Sequence, residues 1–150
     1  MIYLYLVSLI IAGLTTILAF IQVKRKRSLK SIFLPLEIQG SFVWADGIIF
    51  GPFWFLVSLG FLSVKPENWR WFVILFLVFW LVRSAGEVIY WLNNQFQPLR
   101  MDKLNSQSFL FLKNFFHQSN YIASFVYQIF WQCVSTLCLF GLIWLLFSMV

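Results

Sequence analysis

The chain has 150 residues, of which 61% are hydrophobic and only 11% charged, with 19 Phe and 8 Trp. A water-soluble domain carries about 25% charged residues, so this chain lacks the polar surface that would solvate a globule. Its net charge of +6 would suggest nucleic acid in a soluble protein, but here the basic residues gather at the ends of apolar runs, and no nucleic-acid partner is expected.

The first apolar run covers residues 2–23 and stops at "KRKRSLK". A secretory signal has its charges before a short apolar centre; this segment has them after about 20 apolar residues, so it reads as a retained anchor. Lys24, Arg25, Lys26 and Arg27 then suit anionic lipid headgroups. "SIFLPLEIQGS" follows as a connection broken by Pro35 and Gly40. The second run covers 42–64, and "VKPENWR" reads as a short turn into the third, 69–91. A long polar connection comes next, with an amphipathic interfacial patch around 106–117. The fourth run, 121–149, is long enough to tilt.

Each run reaches the ~20 residues that carry a helix across ~30 Å of hydrocarbon. The expected fold is therefore a single all-α transmembrane domain over residues 1–150, a four-helix bundle with short loops. Lys24, Arg25, Lys26, Arg27, Lys30, Arg100, Lys103 and Lys113 fall on one side, against Lys65 and Arg70 on the other. The positive-inside rule puts the first group in the cytoplasm and both termini outside. A bacterial inner (plasma) membrane is the expected location.

Three acidic or basic residues of the second and third spans fall in one layer of the inner leaflet. With the inner edge of the third helix near Tyr90–Trp91, Glu87 would lie roughly 6 Å deep and Arg83 roughly 12 Å. Asp46, on the antiparallel second helix, would lie roughly 8 Å deep. Charges in hydrocarbon cost at least about 2.5–3.5 kcal/mol and face protein or water. Snorkelling is disfavoured for Arg83, because helical side chains lean toward the helix N-terminus, which here points to the far leaflet. Arg83 and Glu87 are spaced to pair, though in the weaker order for an i,i+4 pair.

On the fourth helix His117, Tyr121, Ser124, Gln128, Gln132 and Ser135 fall within about 40° of one line, a stripe expected to face the interior. Gly47 and Gly51 form a GxxxG that allows close helix approach. Together with Pro52, which removes a backbone hydrogen bond, they are hinge candidates, with plain packing the commoner role. Cys133 and Cys138 lie about 140° apart on their helix and cannot bond to each other. One His and two misplaced Cys make no metal ligand set, and no cofactor fingerprint occurs.

The residues expected to bind substrate or protons are thus Asp46, Arg83, Glu87, Tyr90, Ser124, Gln128 and Gln132, around a cytoplasm-facing polar cavity. Transport of a small solute or ion with proton coupling is the first functional reading, and a homodimer would suit a chain of this size. A structural or accessory subunit, whose charges fix packing or pair with a larger membrane partner, stands beside it. An intramembrane enzyme acting on a lipid or isoprenoid is the third reading, in which Glu87 and Asp46 would serve as proton donor and acceptor and Arg83 would stabilise negative charge.

Overall fold

The computed structural model describes residues 2–27, 37–64, 69–96 and 120–148. It is all-α, with helices α1 (Ile2–Lys24), α2 (Trp44–Val64), α3 (Trp69–Phe96) and α4 (Asn120–Phe147). All four are long and apolar enough to cross a membrane. A helix satisfies its own backbone polar groups, which is what a span in hydrocarbon requires. The expected starts and ends hold within two residues, except that α3 continues to Phe96. The amphipathic patch around 106–117, with His117, lies outside the described residues.

The chain forms two compact units, residues 1–72 and 73–150. In the first, α1 and α2 pack antiparallel. Ser58 Oγ donates to Ser8 Oγ at 2.8 Å, Tyr5 stacks on Phe61, and Gly51 lies against Thr16. A Cβ on Gly51 would meet the Thr16 hydroxyl and lie 3.0 Å from its backbone nitrogen and 3.1 Å from its Cα. Only glycine lets the two backbones approach this closely. Lipid tails are as apolar as leucine, so helices in a membrane associate through such close packing rather than through the hydrophobic effect. Tyr5 and Trp54 are fully buried, and both lie near Phe72 at the start of α3, as edge-on ring contacts.

In the second unit α3 and α4 are likewise antiparallel. Leu77 touches Gly141, Ser84 bonds Ser135, and Trp91 stacks on Tyr127 at 4.7 Å. Burial follows a seven-residue spacing in α4, at Ser124, Trp131, Cys138 and Leu145. In α1 the same spacing links Tyr5, Ala12 and Ala19. Helices packed this way keep a seam facing their neighbour by following a 3.5-residue period.

Candidate functional site

In the second unit the Arg83 guanidinium (Nη1) and Glu87 carboxylate (Oε1) pair at 3.0 Å, with side chains 22% and 14% exposed. One helical turn brings them together, as their spacing predicts. Beside them Ser84 is fully buried. Its hydroxyl donates to the Trp80 carbonyl at 2.6 Å, and its oxygen lies 2.7 Å from Ser135 Oγ. The Ser135 hydroxyl is within bonding distance of both Ser84 Oγ and the Trp131 carbonyl, and its single proton serves one of them at a time. Trp80 and Trp131 stack near-parallel, 14° apart. Next to the pair in sequence, two hydroxyls and two indoles thus form a layer that joins α3 to α4.

The polar stripe expected on α4 divides. Ser124 is fully buried, and Gln128 and Ser135 are half-buried. Gln132 is exposed, and Trp131 holds the interior position instead. A straight 3.6-residue wheel carries the line from Gln128 to Gln132. The 3.5-residue seam steps from Gln128 to Trp131 and then to Ser135, which turns Gln132 outward. Tyr90 is also largely exposed, at 42%, and its ring meets Trp91 edge-on.

Asp46 belongs to the first unit. Its Oδ2 accepts from the backbone N–H groups of Phe42 and Val43 at 3.2 and 3.4 Å. The helix opens at Val43, whose carbonyl accepts from the N–H groups of Asp46 and Gly47. A carboxylate three residues into a helix that reaches back to the cap N–H is one half of a capping box, and its charge suits the positive helix end. Asp46 therefore has a local role in starting α2. Gly47 and Gly51 are both buried, and the contact of Gly51 with Thr16 is a packing contact. Pro52 lies within a continuous α2.

The largest departure from the sequence reading precedes α2. Gln39 is 2% exposed, and its Nε2 donates to the Ser8 carbonyl at 2.8 Å and to Ser8 Oγ at 3.2 Å. The Trp54 indole N–H donates to the Gln39 carbonyl at 3.2 Å. Ser8 is level with Ser58, and Ser58 lies 14 residues beyond Trp44, roughly 21 Å along α2. A glutamine side chain covers only a fraction of that distance. Residues 39–43 must therefore run back alongside the hairpin, close to the limit of about 3.3–3.6 Å per extended residue.

The turn that begins this return is closed by the Gly40 N–H, which donates to the Glu37 carbonyl at 2.8 Å. Gly40 has φ 80°, a left-handed conformation that glycine adopts without strain. Burial raises the Glu37 carboxyl above its usual range. Ser41 is fully buried. Gln39 Oε1 and Ser41 Oγ have no hydrogen-bond partner among the described residues. Gln39, Ser41, Ser8 and Ser58 were not expected as site residues. The available signal was the polar triplet Gln39-Gly40-Ser41, which read as part of the connection before the second span.

No group of three or more His, Cys, Asp or Glu able to hold a metal occurs among the described residues. Both cysteines are free thiols. The fold places the chain among all-α integral membrane proteins, with four helices able to span. Comparison with protein-family models, with curated proteins and with solved structures finds no match.

Proposed function

We propose that this protein moves a small polar solute or ion across its membrane, along a path lined by the turn at Glu37–Ser41 and the hydroxyls of Ser8 and Ser58. The observation that carries this reading is Gln39, a residue on non-helical backbone that is bonded to Ser8 and Trp54 of the first hairpin, well inside its helices. At membrane depth, non-helical backbone is tolerated only where protein buries it or where it lines a water-filled cavity. Gln39 Oε1 and Ser41 Oγ, buried without a partner among the described residues, favour the second condition, because a buried polar atom without a partner costs about 1–3 kcal/mol. Water or a passing solute would supply the missing bonds.

In this reading Glu37, at the turn, is the proton-linked group. Gly47, Gly51 and Pro52 give α2 the freedom to flex beside the turn. The basic run Lys24–Arg27 faces the cytoplasm and anionic headgroups, as in a bacterial inner membrane.

The test is flux in sealed vesicles holding the purified protein and a pH-sensitive dye, challenged with a panel of small cations, anions and neutral solutes. Flux above that of empty vesicles is expected, and Gln39→Leu should abolish it while the helical content stays constant. Absence of flux across the panel from well-folded protein would sink the proposal.

An accessory role is the second reading, favoured by how the charges are used. Asp46 caps its own helix, and Arg83 and Glu87 pair with each other. An accessory subunit should co-purify with a larger membrane protein from its native membrane.

A further inference from the structure

Gln132 carries a carboxamide on the exposed side of α4. It lies eight residues into the apolar stretch Ser124–Phe147, roughly 12 Å from its start. Around it on the same face are Phe125, Ile129, Leu139 and Ile143, each between 41% and 48% exposed. Thr136, one turn on, is exposed but spends its hydroxyl on the Gln132 carbonyl at 2.9 Å. No hydrogen bond to the Gln132 side chain is found among the described residues. In water this face would need no explanation. In hydrocarbon, two N–H donors and a carbonyl acceptor are left facing lipid tails that can offer nothing in return.

We propose that two copies of this chain pair along this face of α4, with the Gln132 carboxamides bonded to each other across the twofold axis. Three features choose a second copy over another partner. A carboxamide both donates and accepts, so it complements itself. Copies inserted with the same orientation and related by a twofold axis along the membrane normal hold Gln132 at the same depth, so the two amides meet without any adjustment of register. A twofold contact also uses the same patch on both partners, and the apolar residues flanking Gln132 can then pack on their own counterparts. Glutamine is among the side chains that hold helices together in membranes by such bonds.

The proposal does not depend on the transport reading, and its test measures association only. The full chain, labelled with one fluorophore, is placed in phosphatidylcholine–phosphatidylglycerol vesicles at a series of dilutions, and bleaching steps per particle are counted. The wild type should show predominantly two steps. Gln132→Leu should weaken association about tenfold or more, whereas Gln132→Asn should retain much of it.

A second measurement reports geometry. In a chain with Cys133→Ser and Cys138→Ser, Thr136→Cys lies about 40° from Gln132 around the helix and should cross-link on oxidation. Leu137→Cys, about 140° away, should not. Gln132→Leu removes a polar group from an exposed position, so the variant is expected to fold, and an unchanged melting curve checks this. A wild type with single bleaching steps at all dilutions overturns the proposal. So does a Gln132→Leu chain that dimerises as the wild type does, or cross-linking through position 137 and not 136.

Discussion

Gln39 donates through its side-chain amide to the backbone carbonyl of Ser8 at 2.8 Å, although Ser8 lies 16 residues, roughly 24 Å of helix, before the Lys24 end of α1. This bond fixes how far the segment before α2 folds back along the first hairpin. Gln39→Leu should remove it and lower stability by about 0.6–1.7 kcal/mol, the range for polar contacts between membrane helices. Ser8 keeps its bond to Ser58, so Ser58→Ala in the same chain should add a further loss. Melting in detergent, followed by circular dichroism, measures both.

Gly51→Ala should destabilise the first hairpin by about 1–3 kcal/mol, the usual cost of forcing a methyl into a filled space. The added Cβ meets the backbone of Thr16 as well as its hydroxyl. Trimming the partner with Thr16→Ala should therefore restore only part of the loss. Full recovery would show that the side chain alone sets the contact.

Asp46→Ala should cost about 0.5–2 kcal/mol, the range for loss of a helix cap. Asp46→Asn keeps an oxygen for the Phe42 and Val43 N–H groups and should cost less. If Asp46→Asn melts like the parent yet abolishes flux in vesicles, the carboxylate has a role in transport besides its capping role.

Breaking the Arg83–Glu87 pair from one side should be worse than removing both charges. Arg83→Met leaves a carboxylate in an apolar layer, and a loss approaching about 3 kcal/mol is expected, reduced by the partial exposure of both groups. Arg83→Met with Glu87→Gln should recover most of that loss. Equal melting of single and double variants would remove the ion pair from the account of stability.

The Glu37 carboxyl, raised by burial above its ordinary value of 4.5, predicts a pH dependence of fixed sign. Between the ordinary and the raised value the folded state holds a proton that the unfolded state has lost. Its contribution is therefore full below the ordinary value and is lost as pH rises through the raised one. The melting temperature of the parent should fall over that window relative to Glu37→Gln, and the two curves should run parallel on either side. Parallel curves throughout would show that Glu37 is solvated like a free carboxylate.

The four helices were legible because a span needs a long uninterrupted apolar run, a property of consecutive residues. Gly51 was legible as a packing residue for a similar reason, since GxxxG places two missing side chains on one face. The Arg83–Glu87 pair also needs only the geometry of a single helix turn. Gln132 marks where this kind of reading stops. Whether the seam steps three or four residues after Gln128 depends on how α4 winds against α3, and the choice of Trp131 follows from that packing.

Asp46 and Gln39 show the same division more sharply. Asp46 caps its own helix because of the path of residues 42–43, which nothing local in the sequence specifies. Gln39 reads as part of a connection between a proline and a span, because nothing local says that the chain returns alongside the hairpin. The sequence by itself determined a four-helix membrane chain with a self-pairing charge pair, because hydrophobic length and helical spacing are local quantities. The tertiary structure alone decided which polar groups are buried together and which face outward, because those outcomes depend on contacts between residues as far apart as Ser8, Gln39 and Ser58.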